Sequence, residues 1–281
     1  MTAAATTSPA AGPASRPRAI ALGPRSTAAV VLASAFGLIA YTWPFFVDPG
    51  AGLGHDVDAP YVFALLLPLL LAVVLAEVAD GGMDSKAIAM LGVLAAAGAV
   101  LRPLSGGVTG FQPMFVVIVL GGRALGPGFG FALGASTMFA SALFTGGVGP
   151  WLPFQMLAAA WMGLGAGLLP RATGRPETVL LAGYAAFAGL AYGLLLNLWF
   201  WPFTGGLAEQ LAFVAGAPLG ENVGRFLAFS LATSLGVDLP RAIGSAVLIL
   251  VFGAPLLRAL RRSARRAAFD AAPAFAPAGA A

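Results

Sequence analysis

The chain has 281 residues, of which 59% are apolar and only 9% are charged, and its mean hydropathy is +0.90. Soluble domains carry roughly 25% charged residues, so this composition excludes a water-soluble globular protein. The absence of cysteine excludes disulfides and thiolate metal sites. The single histidine, His55, argues against a catalytic histidine or a multi-histidine metal centre. We therefore expect an all-α, polytopic membrane helix bundle.

Apolar stretches of about 17 to 25 residues, the length that spans a bilayer, follow one another along the chain. Residues 1–25 are rich in Ala, Pro, Ser and Thr and predict a disordered cytoplasmic tail rather than a signal peptide. The eight predicted spans are 26–47, 61–79, 86–101, 113–122, 127–145, 152–169, 178–201 and 240–257. Residues 202–239 are interrupted by glycine, and 222–236 within them are predicted to form an external or re-entrant helix. Residues 263–281 are predicted to be a second disordered tail.

Basic residues predict the orientation. With the N-terminus inside and eight spans, twelve of the fifteen Lys and Arg residues fall on the cytoplasmic side. The external three are Arg102, Arg225 and Arg241. This positive-inside bias predicts a multi-pass plasma-membrane protein with both termini in the cytoplasm.

The eleven acidic residues are predicted to lie in connections, at segment ends or in tails. Transporters that use a proton or sodium gradient usually bury a carboxylate within the membrane, so we expect another energy source. Asp238, just before Pro240, predicts a helix start with Arg241 as its ion-pair partner. No GxxxxGK[ST], GxSxG or HExxH motif occurs, which argues against ATP hydrolysis by this chain and against an enzyme. We expect no cofactor and no metal site, and we interpret the stretch from His55 to Asp58 as a solvated turn.

Small residues recur at four-residue spacing in two segments. Gly126, Gly130 and Gly134 form a doubled GxxxG ridge, which predicts close helix packing inside the bundle. In the segment 86–101 the small pairs are Gly92 with Ala96 and Ala95 with Ala99. These pairs predict either internal packing or the docking of a separate membrane protein.

Polar and aromatic residues gather in three connections on the predicted external side. The loop 101–113, the turn 146–155 and the end of the segment 178–201 each carry an amide or an aromatic ring, which suggests a pocket for a flat organic ligand. The candidate ligand-binding residues are Arg102, Phe111, Gln112, Trp151, Gln155, Asn197 and Trp201. Two alternatives stay open: the tryptophans serve as interfacial anchors, and the amides of Gln155 and Asn197 bond across helices.

From Lys86 onward the chain resembles the substrate-binding S-component of an energy-coupling factor (ECF) transporter. The resemblance lies in Ala87–Arg102, Phe111-Gln112-Pro113, Gly121–Gly130, Gly147–Gln155 and Ser234–Ala242. It implies a six-helix substrate-binding core over 86–262 that captures a vitamin or related micronutrient outside the cell. It also implies delivery with a transmembrane T-component and ABC-type ATPases, and docking on Ala95 and Ala99 with Gly92 and Ala96 beside them.

The chain departs from this pattern in the two additional predicted helices over 26–85. The alternative function is an integral-membrane enzyme acting on lipid or isoprenoid, or an uncoupled facilitator. Such enzymes usually carry acidic or histidine clusters at the interface, and here only Asp80 and Asp84 offer one. No residue pattern identifies the substrate.

Overall fold

The structure, a computed structural model, describes residues 23–46, 85–105 and 110–267. These residues form seven α-helices and three short 3₁₀ turns, with no strand among them, which confirms the predicted all-α membrane bundle. The predicted segment 61–79, the turn 55–58 and most of both tails lie outside the described residues. The helices are α1 (Pro24–Thr42), α2 (Ser85–Leu101), α3 (Met114–Leu125), α4 (Pro127–Thr145), α5 (Leu152–Leu168), α6 (Arg175–Phe200) and α7 (Leu219–Ala267).

Within the described parts of the chain, four stretches are long and apolar enough to cross a membrane, and the remaining helices there are shorter but apolar. The long ones are α1 with the turn after it, α4, α6 with the turn after it, and α7. Helix α4 begins and ends where the sequence predicts, because a glycine in a positive-φ conformation stands on each side. Gly126 (φ 107°) precedes Pro127 at the first helical position, and Gly146 (φ 66°) caps the end in the left-handed conformation.

The predicted glycine ridge packs inside the bundle, between α4 and α5. A Cβ at Gly130 would overlap the carbonyl of Gly163, and a Cβ at Gly134 would overlap the carbonyl of Ala159. Gly122 of α3 approaches the same Gly163 carbonyl. Only glycine permits backbones to come this close, so three helices meet at one point. Gly126 itself lies in the turn before α4.

Helix α7 runs antiparallel to α6 along most of the length of α6. Gly193 of α6 packs directly on the carboxylate of Asp238, and Asn197 accepts a hydrogen bond from the Ser234 hydroxyl at 2.9 Å. Towards the other end, Gly253 of α7 lies against Thr178. One face of α7 is therefore buried against α6 from position 234 to position 253.

Two predictions about the last part of the chain are wrong. The structure contains one continuous helix over Leu219–Ala267, with Pro240 and Pro255 inside it, instead of a separate helix at 222–236 and a span starting at 240. At 1.5 Å per residue, its 49 residues extend over roughly 74 Å. This length is more than twice the roughly 30 Å thickness of a bilayer's hydrocarbon core. Part of α7 therefore extends outside the hydrocarbon core.

The second error concerns Asp238, which lies within α7 rather than at a helix start. It is 9% exposed, and it packs on Gly193, about 10 Å before the end of α6. The bundle thus contains an acidic side chain that hydropathy placed in a connection. The predicted ion pair with Arg241 is confirmed, and it neutralises this carboxylate within the bundle.

Candidate ligand-binding site

The bundle has two polar ends. We call one the Arg102 end; it comprises Arg102, the connection between α4 and α5, and the last part of α6. The other is the Arg261 end, where the carboxylate of Glu177 bonds the guanidinium groups of Arg123 at 2.7 Å and of Arg261 at 2.6 and 2.9 Å. The predicted ligand-binding residues lie at or near the Arg102 end.

Arg102 connects three helices at this end. It follows the last residue of α2, and its guanidinium donates to the Ser141 hydroxyl of α4 at 2.7 Å and to the Gln155 amide oxygen of α5 at 3.1 Å. Ser141 is buried, whereas Arg102 and Gln155 are half-buried. The structure thus brings together two of the predicted residues and adds Ser141, which the sequence analysis did not single out.

A second polar group lies between α6 and α7. Arg241 is paired with Asp238, and its guanidinium carbon lies 5.3 Å from the centre of the Tyr192 ring. Tyr192 also contacts Phe115 of α3, with ring centres 4.8 Å apart. Tyr192 therefore links Arg241 to α3.

The loop before α3 presses on α7 beside this second group. Gly110 adopts φ 69°, and a Cβ there would overlap the backbone carbonyl of Val237. The ring of Phe111 covers Gly244, where an added Cβ would lie 2.5 Å from the ring, and 36% of the Phe111 side chain stays exposed. Gln112 is half-buried, and its backbone carbonyl accepts the amide of Phe115 at 3.2 Å.

The two tryptophans among the candidate residues, Trp151 and Trp201, have different environments. Trp151 is 39% exposed, donates to the Gly147 carbonyl at 3.1 Å, and packs edge-on against Trp199 with ring centres 6.3 Å apart. Trp201 is fully buried and donates to the Leu211 carbonyl at 2.7 Å. The Trp201 ring is packed in the core and its N–H group is already hydrogen-bonded there. Trp201 therefore does not join the other candidate ligand-binding residues.

Among the residues that the structure describes, three of the buried N–H groups near this end have no acceptor. They are the side-chain amide nitrogen of Asn197, the indole nitrogen of Trp199 and the Nε of Arg241. An unmet buried donor costs roughly 1–3 kcal/mol, so each would be stabilised by an oxygen or nitrogen acceptor from a ligand or water. Of the three residues, only Asn197 is among the predicted ligand contacts. Arg241 was missed because it was considered only as the partner of Asp238.

The predicted docking residues on α2 face two directions. Gly92 and Ala96 are exposed and, with the 6%-exposed Ala95, line an apolar groove of about 600 Å³ between α2 and α4. The groove is completed by Ala135, Ser136, Phe139, Ala140, Leu143, Phe144 and Met156. Ala99 is fully buried, because the side of α2 that carries it and Gly98 faces the bundle, where Gly98 packs on Thr137. A partner could not touch Ala99 in this structure.

Of the comparisons with known proteins, the one with protein-family models gives a match. No curated protein and no solved structure matches the chain. The family model for the substrate-specific component of ECF transporters matches residues 86–253, more than half of the chain. This stretch starts one residue into α2 and contains Arg102, Gln155, Tyr192 and Arg241. The chain therefore belongs to the family of ECF transporter substrate-specific components and is a substrate-binding subunit of a membrane transport system.

Proposed function

We propose that this subunit captures a small, vitamin-like organic molecule at the Arg102 end of the bundle. The observation that carries the proposal is the Arg102 guanidinium, held by hydrogen bonds to Ser141 and Gln155. A half-buried charge fixed by side chains from two other helices is a preformed polar anchor. Such anchors orient ligands in otherwise apolar pockets.

The surrounding side chains define the ligand that would fit. Phe111 and Trp151 offer exposed ring surface for a flat molecule, and Gln112 and Asn197 add amide groups. The unmet N–H donors of Asn197, Trp199 and Arg241 favour a ligand rich in hydrogen-bond acceptors. Trp201 is left out of the proposed site, since its N–H group already bonds Leu211.

Delivery into the cell is proposed to depend on the T-component and its two ATPases. The apolar groove between α2 and α4 supports docking there, because Gly92 and Ala96 leave room for the backbone of a partner helix. The docking surface is accordingly Gly92, Ala95 and Ala96 together with the facing residues of α4, without Ala99.

The ligand site is tested by binding measurements on the purified chain. A thermal-shift screen of vitamins and cofactor precursors identifies a binder, and its affinity is then measured for the Gln155→Ala and Trp201→Phe variants. We expect Gln155→Ala to weaken binding about tenfold or more, because Arg102 loses a partner that orients it. Trp201→Phe should lower the melting temperature but leave affinity unchanged. Equal affinities for wild type and Gln155→Ala would place the ligand elsewhere.

Docking is tested with a bulky substitution at each of two exposed alanines. Ala96→Trp fills the groove and should prevent co-purification with the T-component while ligand affinity is unchanged. Ala232→Trp, at an exposed position of α7, is the control and should co-purify normally. Normal assembly of the Ala96→Trp variant would remove the groove from the proposed interface.

Both termini are proposed to be cytoplasmic, as the arginine distribution predicts. The contacts among Arg123, Glu177 and Arg261 support this, because they gather residues predicted to lie on one side of the membrane. A single cysteine introduced after Arg266 should be shielded from impermeant maleimide in intact cells. Labelling from outside would reverse the proposed orientation.

A further inference from the structure

The last part of α7 carries a row of exposed arginines at the Arg261 end. Arg258, Arg262 and Arg265 are spaced four and three residues apart, which places them on one face of the helix. We propose that this row binds the headgroup of an anionic phospholipid, with an acyl chain of that lipid lying along the apolar part of the same face. The proposal does not depend on the ligand or on the transport partners.

The row is held pointing outward by contacts on the neighbouring face of α7, about 100° around the helix. Leu257 is 3% exposed and Ala264 is 1% exposed, the latter in a cluster with Ala87 and Leu91 of α2. Arg261, between them, bonds Glu177 through two nitrogens. These contacts fix the rotation of α7, so the three arginines cannot turn into the bundle to find an acidic partner.

The charge at this end is strongly positive. Among the described side chains, nine basic residues and one acidic residue gather there, a formal charge of +8 from nine minus one. The basic residues are Arg25, Lys86, Arg123, Arg171, Arg175, Arg258, Arg261, Arg262 and Arg265. The acid is Glu177, already bound by Arg123 and Arg261. Including the carboxylates of Asp80 and Asp84, which precede α2 in the sequence, leaves +6 from nine minus three.

An apolar surface continues from the arginine row along the same face of α7. Val247 is 50% exposed, Val251 is 59% exposed, and Ala254 is exposed as well. From Val247 to Arg258 the helix rises roughly 17 Å, which is close to half of the roughly 30 Å hydrocarbon core of a bilayer. A charged patch followed by one leaflet's depth of apolar surface matches an amphiphile better than it matches an acidic soluble protein. The planar guanidinium also suits a phosphate group.

The test is native mass spectrometry of the full chain in detergent with equal amounts of phosphatidylglycerol and phosphatidylcholine that carry identical acyl chains. Wild type should retain phosphatidylglycerol at least fivefold over phosphatidylcholine. The Arg258→Gln/Arg262→Gln variant should lose this preference, since each arginine near an anionic headgroup contributes roughly fivefold. If that variant does not melt cooperatively, Arg262→Gln alone gives the readout, with a loss of about fivefold.

The matched control removes the same number of charges from the same end. Arg171 and Arg175 are exposed but lie before or at the start of α6, away from the proposed face, so the Arg171→Gln/Arg175→Gln variant should keep its preference. Equal losses in both double variants would overturn a site on α7 and indicate a diffuse effect of charge. A wild type without any preference would also overturn the proposal, leaving the row to membrane orientation or to an acidic protein surface.

Discussion

Glu177 is the residue whose loss we expect to destabilise the bundle most clearly. Its carboxylate is 3% exposed and bonds Arg123 of α3 and Arg261 of α7, while Arg123 also donates to the carbonyls of Leu169 and Pro170 at 2.9 and 3.0 Å. Glu177→Gln keeps the shape of the side chain but removes its charge, leaving two guanidinium groups facing each other. Breaking a buried ion pair typically costs about 3–5 kcal/mol, and we expect a loss of free energy of unfolding in that range.

The assay is equilibrium unfolding in detergent micelles, with Glu221→Gln as the control. Glu221 also has an arginine partner, Arg225 at 3.8 Å, but its side chain is 59% exposed, so its loss should cost less than about 1 kcal/mol. Adding Arg123→Met and Arg261→Met to Glu177→Gln should recover part of the loss, because no unpaired charge then remains. Equal stabilities of Glu177→Gln and Glu221→Gln would refute the reasoning.

Two further substitutions test the packing of the bundle. Gly163→Ala should lower the melting temperature, because the new Cβ overlaps the Gly130 carbonyl and forces α4 and α5 apart. The control is Gly183→Ala, where no atom lies near the new Cβ; it should be neutral or stabilising by up to about 1 kcal/mol. Equal melting temperatures of the two variants would argue against the close helix contact. Trp201→Phe should cost roughly 1–3 kcal/mol in unfolding experiments, since the Leu211 carbonyl loses its buried donor; an unchanged stability would mean that water replaces the indole.

Hydropathy predicted most helix positions well, because the helix ends carry strong local signals. The glycines on both sides of α4 define it to the residue, and α5 and α6 agree within three residues. The continuity of α7 could not be predicted in the same way, because Gly236 and Pro240 normally indicate a break. Inside a packed apolar bundle, neighbouring helices stabilise a helix in spite of such residues.

The candidate site was predicted in part. The order of the segments predicted that Arg102 and Gln155 lie at the same end of the bundle. The hydrogen bond between them could be identified only from the structure. Arg241 and Tyr192 were not predicted as site residues, because each depends on α6 and α7 being antiparallel neighbours over this stretch. Trp201 and Trp151 look equivalent in sequence, and only the packing against Leu211 separates their environments.

The buried Asp238 bears on how transport is powered. The sequence placed no carboxylate within the bundle and thereby argued against coupling to an ion gradient. The structure removes that argument, although the ion pair with Arg241 leaves no net charge at this position. The proposed dependence on a separate ATPase module therefore rests on family membership and not on the distribution of acidic residues.

The central claim is that this chain captures a substrate but depends on partner proteins for its transport. The most direct test is reconstitution of the purified chain in liposomes with the compound found by thermal shift, both alone and with the T-component and ATPases. We predict that the chain alone binds the compound but does not accumulate it under a proton gradient, and that accumulation requires the partners and ATP. Accumulation by the chain alone under a proton gradient would contradict the account and make Asp238 the first candidate for the coupling carboxylate.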